Sequence, residues 1–428
     1  MKLASTRDPR ATATFSQAVQ AGTAPDGGLY APVDLTPFPD VEALLDLGWR
    51  DRSVELVRRF LGDEYDAEDL AAATAGALDF PVPLVPVAPG LHALELFHGP
   101  TLAFKDVGAR FLARMLQLEA RREDRPRLVL TATSGDTGAA VASAFHGLEG
   151  FRVVVLYPAG RVSPLQERQF ATLGGNVRAL AVAGSFDDCQ ALAKAAFADG
   201  DLARRVGLTS ANSINIARVL AQTLYYFEAV AALRRAGVAA PPVVAVPSGN
   251  FGNLYAGMLA RKLGLPLRAL VAATNANRTV PDHLDSGAYR PRPSLATLSN
   301  AMDVGAPSNW ERVRALVGDD LDALRAGLRW GSLDDAGTVA SLRALHAAGY
   351  LADPHAAVAA AVLRDHLRPG EPGIFLGTAH PAKFLEVLEA HLGIRVPLPE
   401  ALARLADQPL RSEPLPVSAA ALTEVLGA

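Results

Sequence analysis

Cysteine is nearly missing from this chain: Cys189 is the single one in 428 residues. That excludes an intramolecular disulfide framework and any metal site built from several thiolates, and it fits a reducing compartment. Long apolar runs are missing too, none approaching the ~18 residues a membrane-spanning helix needs. Residues 1–21 scatter polar and charged side chains where a secretory signal would have an apolar stretch, so the cytoplasm is the expected location. Charge of one sign is not in excess. With 41 Lys and Arg against 45 Asp and Glu the formal charge is −4, which gives no general attraction to nucleic acid or to an acidic membrane surface. Any anion must therefore be held by a local constellation.

What remains is the balance of a folded globular protein, half hydrophobic and one fifth charged, at a length that implies two or three domains. From about Arg127 a pattern recurs in which a β-rich run ends in a Gly/Ser/Thr/Asn turn and an alanine-rich helical run follows. Strands are expected at 128–133, 153–156, 177–182, 243–246, 270–273 and 374–376. Ser185 with Asp188 reads as a capping box, Ser210–Asn212 opens a long helix through Tyr225, and Asp353-Pro354 supplies an N-cap and first-turn proline. Strands alternating with helices imply parallel sheets covered on both faces, with ligands at the carboxyl ends of the strands. Residues 1–92 are broken by turn signals and read as a mainly helical N-terminal domain.

Several of these turns have the composition of binding loops. Pro247-Ser248-Gly249-Asn250-Phe251-Gly252-Asn253 follows a strand and opens a helix. Its glycines let backbone N–H groups approach a ligand, and the helix terminus adds positive potential, so it reads equally as a phosphate cradle or as a tight turn without ligand. No Gly-Lys-Ser/Thr closes it and the full GxGxxG spacing is absent, which excludes a Walker loop and disfavours a dinucleotide site. Ser134-Gly135-Asp136-Thr137-Gly138 has the same setting and suits a small anion such as a carboxylate, or simply caps a helix. Lys105, beside Phe104 at a helix start, is either a surface lysine or an amine held among apolar groups and able to act as a nucleophile. Asn212, Ser213 and Arg218 offer an amide, a hydroxyl and a guanidinium to a phosphate, or else a cap and a solvated arginine. Thr378, in Gly377-Thr378-Ala379-His380-Pro381-Ala382-Lys383, offers a hydroxyl to a ring nitrogen, or caps a turn.

Taken together, the segments LELFHGPTLAFKD, TATSGDTGAAVA, LYPAGRVSPLQE, FDDCQALAK, SANSINIARVLAQ, VPSGNFGN, TLSNAMDV and GTAHPAKF, in order from Leu94 to Phe384, resemble the threonine synthase family in its enterobacterial and fungal branch. The resemblance implies a fold-type II pyridoxal-phosphate enzyme, similar to the tryptophan synthase β chain. Its two open, twisted, mainly parallel sheets would be covered by helices and joined to the N-terminal domain. It implies a large domain of residues 93–107 and 216–428 that binds the cofactor, and a small mobile domain of residues 108–215. It implies that Lys105 holds pyridoxal 5'-phosphate covalently, that Gly249, Asn250, Phe251 and Asn253 surround the cofactor phosphate, and that Thr378 meets the pyridine nitrogen. Ser134, Asp136 and Thr137 correspond to the loop for the substrate carboxylate, with Asp136 standing where many relatives of the wider fold carry asparagine. Asn212, Ser213 and Arg218 match positions that hold the substrate phosphate. The activity implied is conversion of O-phospho-L-homoserine and water to L-threonine and phosphate, by a monomer or weak homodimer acting on a small molecule. The alternatives are a dehydratase or phospholyase of the same fold, which would share the lysine and the cradle, and a noncatalytic metabolite-binding relative. The NSINIAR segment weighs against the former, and Lys105 together with Thr378 against the latter. Borohydride treatment of the purified, cofactor-loaded protein is expected to fix the cofactor on Lys105. Peptide mapping that finds it on another lysine would overturn the assignment.

Overall fold

Two open sheets form the frame; the computed structural model describes residues 1–123 and 126–427. The larger sheet orders its strands Leu328–Ser332, Ala269–Thr274, Val243–Pro247, Gly373–Gly377, Leu91–Glu95 and Leu84–Ala88, all parallel except the last. The smaller orders Glu413–Leu415, Val177–Val182, Phe151–Pro158, Arg127–Ala132 and Leu208–Ser210, all parallel. The strands read from sequence are present, five of the six with shifted or longer ends.

The reason for their near-continuous apolar sequence is visible at Val243–Pro247. Val244 and Val246 enter one core together with Leu220 and Leu224 of the helix Ile216–Arg235, whereas Val243 and Ala245 enter another with Ala356 and Ala359 of the helix Pro354–His366. A strand with helices on both faces has no solvent side and so no polar alternation. The capping box at Ser185–Asp188 and the Asp353-Pro354 helix start both form as read.

Two expectations are corrected, while the N-terminal region is mainly helical, as read, with a small sheet added. Besides the helices Phe15–Ala21, Val41–Asp46, Trp49–Leu61 and Ala67–Ala77, it holds an antiparallel sheet of Leu3–Ser5, Thr12–Ala13 and Tyr30–Pro32, strands too short for an alternating pattern to register. The long helix begins at Ile216 with Asn215 as its cap, and Asn212 and Ser213 lie in the loop before it. Asn215 accepts from the Ala217 N–H and donates to the Val19 carbonyl, so a tertiary contact selects this cap over the equally suitable residues upstream. Finally, Glu413–Leu415 pairs with Val177–Val182, placing the C-terminal segment on the smaller sheet and not with the rest of residues 216–428.

The N-terminal helices are tied to the helix Ile216–Arg235 by a buried ion pair. The Arg52 side chain, fully enclosed, bonds Glu228 and also donates to the carbonyls of Leu45 and Leu47. Glu228 also pairs with Arg235, so it is removal of Glu228 that strands a buried charge, that of Arg52, a cost of about 3–5 kcal/mol. Glu228→Ala is therefore expected to lower the urea midpoint substantially. Glu42→Ala, which breaks the largely exposed pair with Arg234, is expected to leave it nearly unchanged.

Candidate active site

The segment before Lys105 is fixed by an unusual backbone. Leu102 has φ +58°, Ala103 forms a bridge with Ala379, the Phe104 N–H donates to the Thr378 carbonyl and the His380 N–H to the Leu102 carbonyl. Lys105 then starts the helix Lys105–Glu123, one residue after the Phe104 N–H that bonds Thr378, the residue that follows the strand Gly373–Gly377. Across from it, Phe251 adopts φ +60° and caps the helix Gly252–Lys262, its ring wedged edge-on against Trp310 at 5.3 Å. Three non-glycine residues among those described have positive φ, and two of them frame this site. Such conformations cost free energy and persist only where packing enforces them.

Close approach explains Gly249. A Cβ there would lie 2.7 Å from Met302 Cα, so any side chain would push the turn off the segment beneath it. Asn250 donates to the Ser213 hydroxyl at 2.8 Å and accepts from the Ser308 N–H. Asn253 accepts from the hydroxyls of Tyr225 and Tyr226 through Oδ1, while its buried Nδ2 has no partner in the protein. The turn is held from behind by Arg312, which donates to the carbonyls of Tyr30, Ser213 and Ile214 and to Asn309 Oδ1; burial lowers this guanidinium to about 10. Asn309 in turn donates to Ser213. Ser213, expected among the substrate-phosphate residues, is thereby joined to the Gly249–Asn253 turn.

The opposite wall comes from the smaller sheet. Thr133 Oγ1 accepts from the N–H groups of Gly135 and Gly138 and donates to the Gly135 carbonyl, bracing Ser134–Gly138 at the start of the helix Asp136–Phe145. The N–H groups of Asp136 and Thr137 lie in the first turn of that helix, where no intrahelical acceptor exists. The Asp136 side chain, however, faces cations. Its Oδ1 lies 2.6 Å from Lys383 Nζ and accepts from Gln166 at 2.8 Å, and its Oδ2 lies 3.7 Å from Lys105 Nζ. Burial pushes this carboxyl up, but the ammonium groups of Lys383 and Lys105 outweigh it and hold the group well below the ordinary carboxylate range. An ionised side chain so placed repels a carboxylate, so within this loop backbone N–H groups and hydroxyls are the donors left for one.

Lys105 is lowered as well, which for an amine favours the neutral form. Burial lowers it most; Asp136 opposes the shift, and Lys383 and Arg218 add to it. Arg218 is 2% exposed, not the solvated helix residue of the bland reading. It donates to the Ala211 carbonyl, its Nε has no protein partner, and it packs on the Lys105 helix where a Cβ at Gly108 would meet that Nε at 2.9 Å. Asn212 uses both ends of its amide on the neighbouring strand, accepting from Thr131 Oγ1 and donating to the Ala132 carbonyl. Gln166, Arg312 and the Tyr225–Tyr226 pair were not singled out from sequence as parts of a site, and Lys383 was read only as a fallback for the substrate phosphate. For Lys383 a signal existed: the chain holds five lysines among its 41 basic residues, so a lysine retained next to a binding turn stands out.

A largely buried amine of lowered basicity, a helix-opening turn with an unpartnered Asn253 donor, and a threonine whose carbonyl is bonded by the residue before that lysine fit pyridoxal phosphate. Residues 85–376 match the family model described as pyridoxal-phosphate dependent enzyme, and fold and site together define a pyridoxal-phosphate-dependent enzyme of fold type II. Residues 2–78 and 356–426 match the models for the threonine synthase N terminus and C-terminal part. The chain is 50% identical to threonine synthase of Escherichia coli over 428 residues, covering 100% of this chain and 99% of the relative, and 51% identical to that of Haemophilus influenzae over 419 residues, with 96% of each covered. The solved E. coli threonine synthase superposes with a TM-score of 0.93, covering 100% and 99% of the two chains. A pyridoxal-phosphate-bound threonine synthase from Brucella melitensis, 35% identical, superposes with a TM-score of 0.94 at the same coverage. The chain belongs to the threonine synthase family and is a pyridoxal-phosphate-dependent lyase.

Asn253→Asp keeps the acceptor for both tyrosines but replaces the free donor with an anion. Loss of a hydrogen bond to a charged group is worth about 1.5–3 kcal/mol, so pyridoxal phosphate affinity is expected to fall by roughly 10- to 150-fold in an absorbance titration.

Proposed function

We propose that the substrate is O-phospho-L-homoserine, which with water gives L-threonine and inorganic phosphate, the last step of threonine biosynthesis. The observation that carries this reading is Arg218. A buried guanidinium with an unpartnered Nε, close enough to depress the Lys105 amine, provides for an anion next to the reacting lysine in a protein that is acidic overall. Pyridoxal phosphate, when bound, supplies a conjugated ring that accepts electrons as protons leave the substrate carbons. Lys105, released as a free amine when the substrate's own amine takes its place, removes the Cα proton and later returns one there. A further proton leaves Cβ, the phosphate group departs from Cγ with its bonding pair, Cγ takes up a proton to become the methyl group, and water adds its hydroxyl at Cβ. Arg218, with Asn212 and Ser213, binds the phosphate through charge-assisted hydrogen bonds. Ser134, the N–H of Asp136, and Thr137 bind the carboxylate. Gly249, Asn250, Phe251 and Asn253 enclose the cofactor phosphate, and the Thr378 hydroxyl meets the ring nitrogen. A neutral hydroxyl there does not stabilise a full positive charge on the ring, which restrains the electron sink and discourages transamination. Approach of the Ser134–Gly138 loop toward the larger sheet excludes bulk water. The protein acts as a monomer or weak homodimer in the cytoplasm, without nucleic-acid or membrane partners; among the described residues no helix is long and apolar enough to cross a membrane.

Incubation with O-phospho-L-homoserine is expected to release phosphate and threonine in equal amounts; 2-oxobutanoate as the main product would overturn the reading in favour of a phospholyase. A site built to bond a group rejects substrates lacking the match by roughly 10⁴-fold. Arg218→Ala is accordingly expected to depress kcat/KM by about that factor while the cofactor absorbance persists. Arg218→Lys should restore part of the loss, because an ammonium cannot reproduce the planar two-pronged contact.

A further inference from the structure

Two of the chain's five lysines share one carboxylate. The sharing is unequal: Lys383 Nζ is 2.6 Å from Asp136 Oδ1, Lys105 Nζ is 3.7 Å from Oδ2. The Lys383 side chain is fully buried and has a second anchor, donating at 2.8 Å to the Thr101 carbonyl in the segment that leads into Lys105. Gln166 donates to the same Asp136 oxygen as Lys383 and so fixes the carboxylate's orientation from the smaller sheet's side. Thr101 also donates its N–H and hydroxyl to Asp106, next to Lys105 in the chain.

We propose that Lys383 is a positioning residue that competes with Lys105 for Asp136, and by holding that carboxylate keeps the Lys105 amine available in its uncharged form. The proposal rests on the reading of Lys105 as the cofactor lysine. A buried ammonium with a carboxylate to itself stays protonated; a carboxylate already neutralised by a closer cation stabilises it far less. The charges around the amine count the same way. Asp136 faces it from the helix Asp136–Phe145, Arg218 from the helix Ile216–Arg235 and Lys383 from the turn Pro381–Phe384, with His380 beside Lys383; Asp106, next in its own helix, is turned to Thr101, Lys383 and Arg110 instead. With Lys105 as a neutral amine, two cations, Lys383 and Arg218, already face the single carboxylate of Asp136. Protonating Lys105 adds a third cation without a counter-ion. Only a neutral amine has the lone pair needed to attack an aldehyde, so the pairing of Lys383 with Asp136 prepares the lysine for the cofactor.

The test uses the full chain freed of cofactor and follows acetylation of Lys105 by acetic anhydride against pH, read by peptide mass spectrometry. Lys383→Met leaves Asp136 to Lys105 alone, and the midpoint for Lys105 is expected to rise by roughly one to two pH units. Attachment of added pyridoxal phosphate at neutral pH should slow about tenfold for each unit. Asp136→Asn removes the opposing anion and is expected to move the midpoint down. Lys383→Arg, which keeps the charge, should stay near the parent. The opposite signs separate this role from a structural one, because loosening the fold would carry both variants up toward an ordinary lysine. A Lys383→Met midpoint that is unchanged or lowered, or variants that move together, would overturn the proposal. The readout needs no substrate, so an error in the assigned reaction would leave it untouched.

Discussion

Asp136 is the interaction on which the site depends. It belongs to the smaller sheet by chain position and to the larger sheet by its partners, because Lys105 and Lys383 both start from that frame. A carboxylate buried among apolar side chains is expensive to leave without cations. The two sheets are therefore held near each other by an electrostatic requirement, on top of the apolar surface they share. The same anion explains why a lysine can be so thoroughly enclosed as Lys383 and why the neighbouring lysine is spared a full ion pair.

The second organising element is a relay of hydrogen bonds that reaches the cradle from the N-terminal region. Arg312 ties Tyr30 to Ser213 and Asn309, and these meet Asn250 and Gly252. The small N-terminal sheet thus has a direct mechanical connection to the Gly249–Asn253 turn. An arginine suits this place because five donors in a planar fork can satisfy several carbonyls at once, which a lysine's compact ammonium cannot.

What could be read from sequence follows from which signals are local. Lys105, the Ser134–Gly138 loop, the Gly249–Asn253 turn and Thr378 sit where apolar strands end in small-residue turns, and parallel sheets put such ends on one side. The strands themselves were legible because a both-faces-buried strand is an apolar run in any context. Asn215 was missed as the helix cap because Asn212 and Ser213 have equal local chemistry, and only the Val19 carbonyl distinguishes between them. The pairing of Lys383 with Asp136 was not legible because its partner lies about 250 residues away in the chain and on another sheet. The N-terminal strands and Glu413–Leu415 were missed because two or three residues cannot display a period.

That last strand has a consequence for how the chain comes to its native form. Val177–Val182 is an inner strand only because Glu413–Leu415 covers it, and the ion pair that locks the two together joins Arg178 to Glu413, 235 residues later. During synthesis the central strands of the smaller sheet emerge early, yet one flank stays an open hydrogen-bonding edge until the rest of the larger sheet has been made. An edge exposed for that long invites pairing with another nascent chain. The closing segment, with the helix Ala419–Gly427 packed behind it, acts as a late-arriving seal whose delivery ends the period in which the unfinished protein is most open to aggregation.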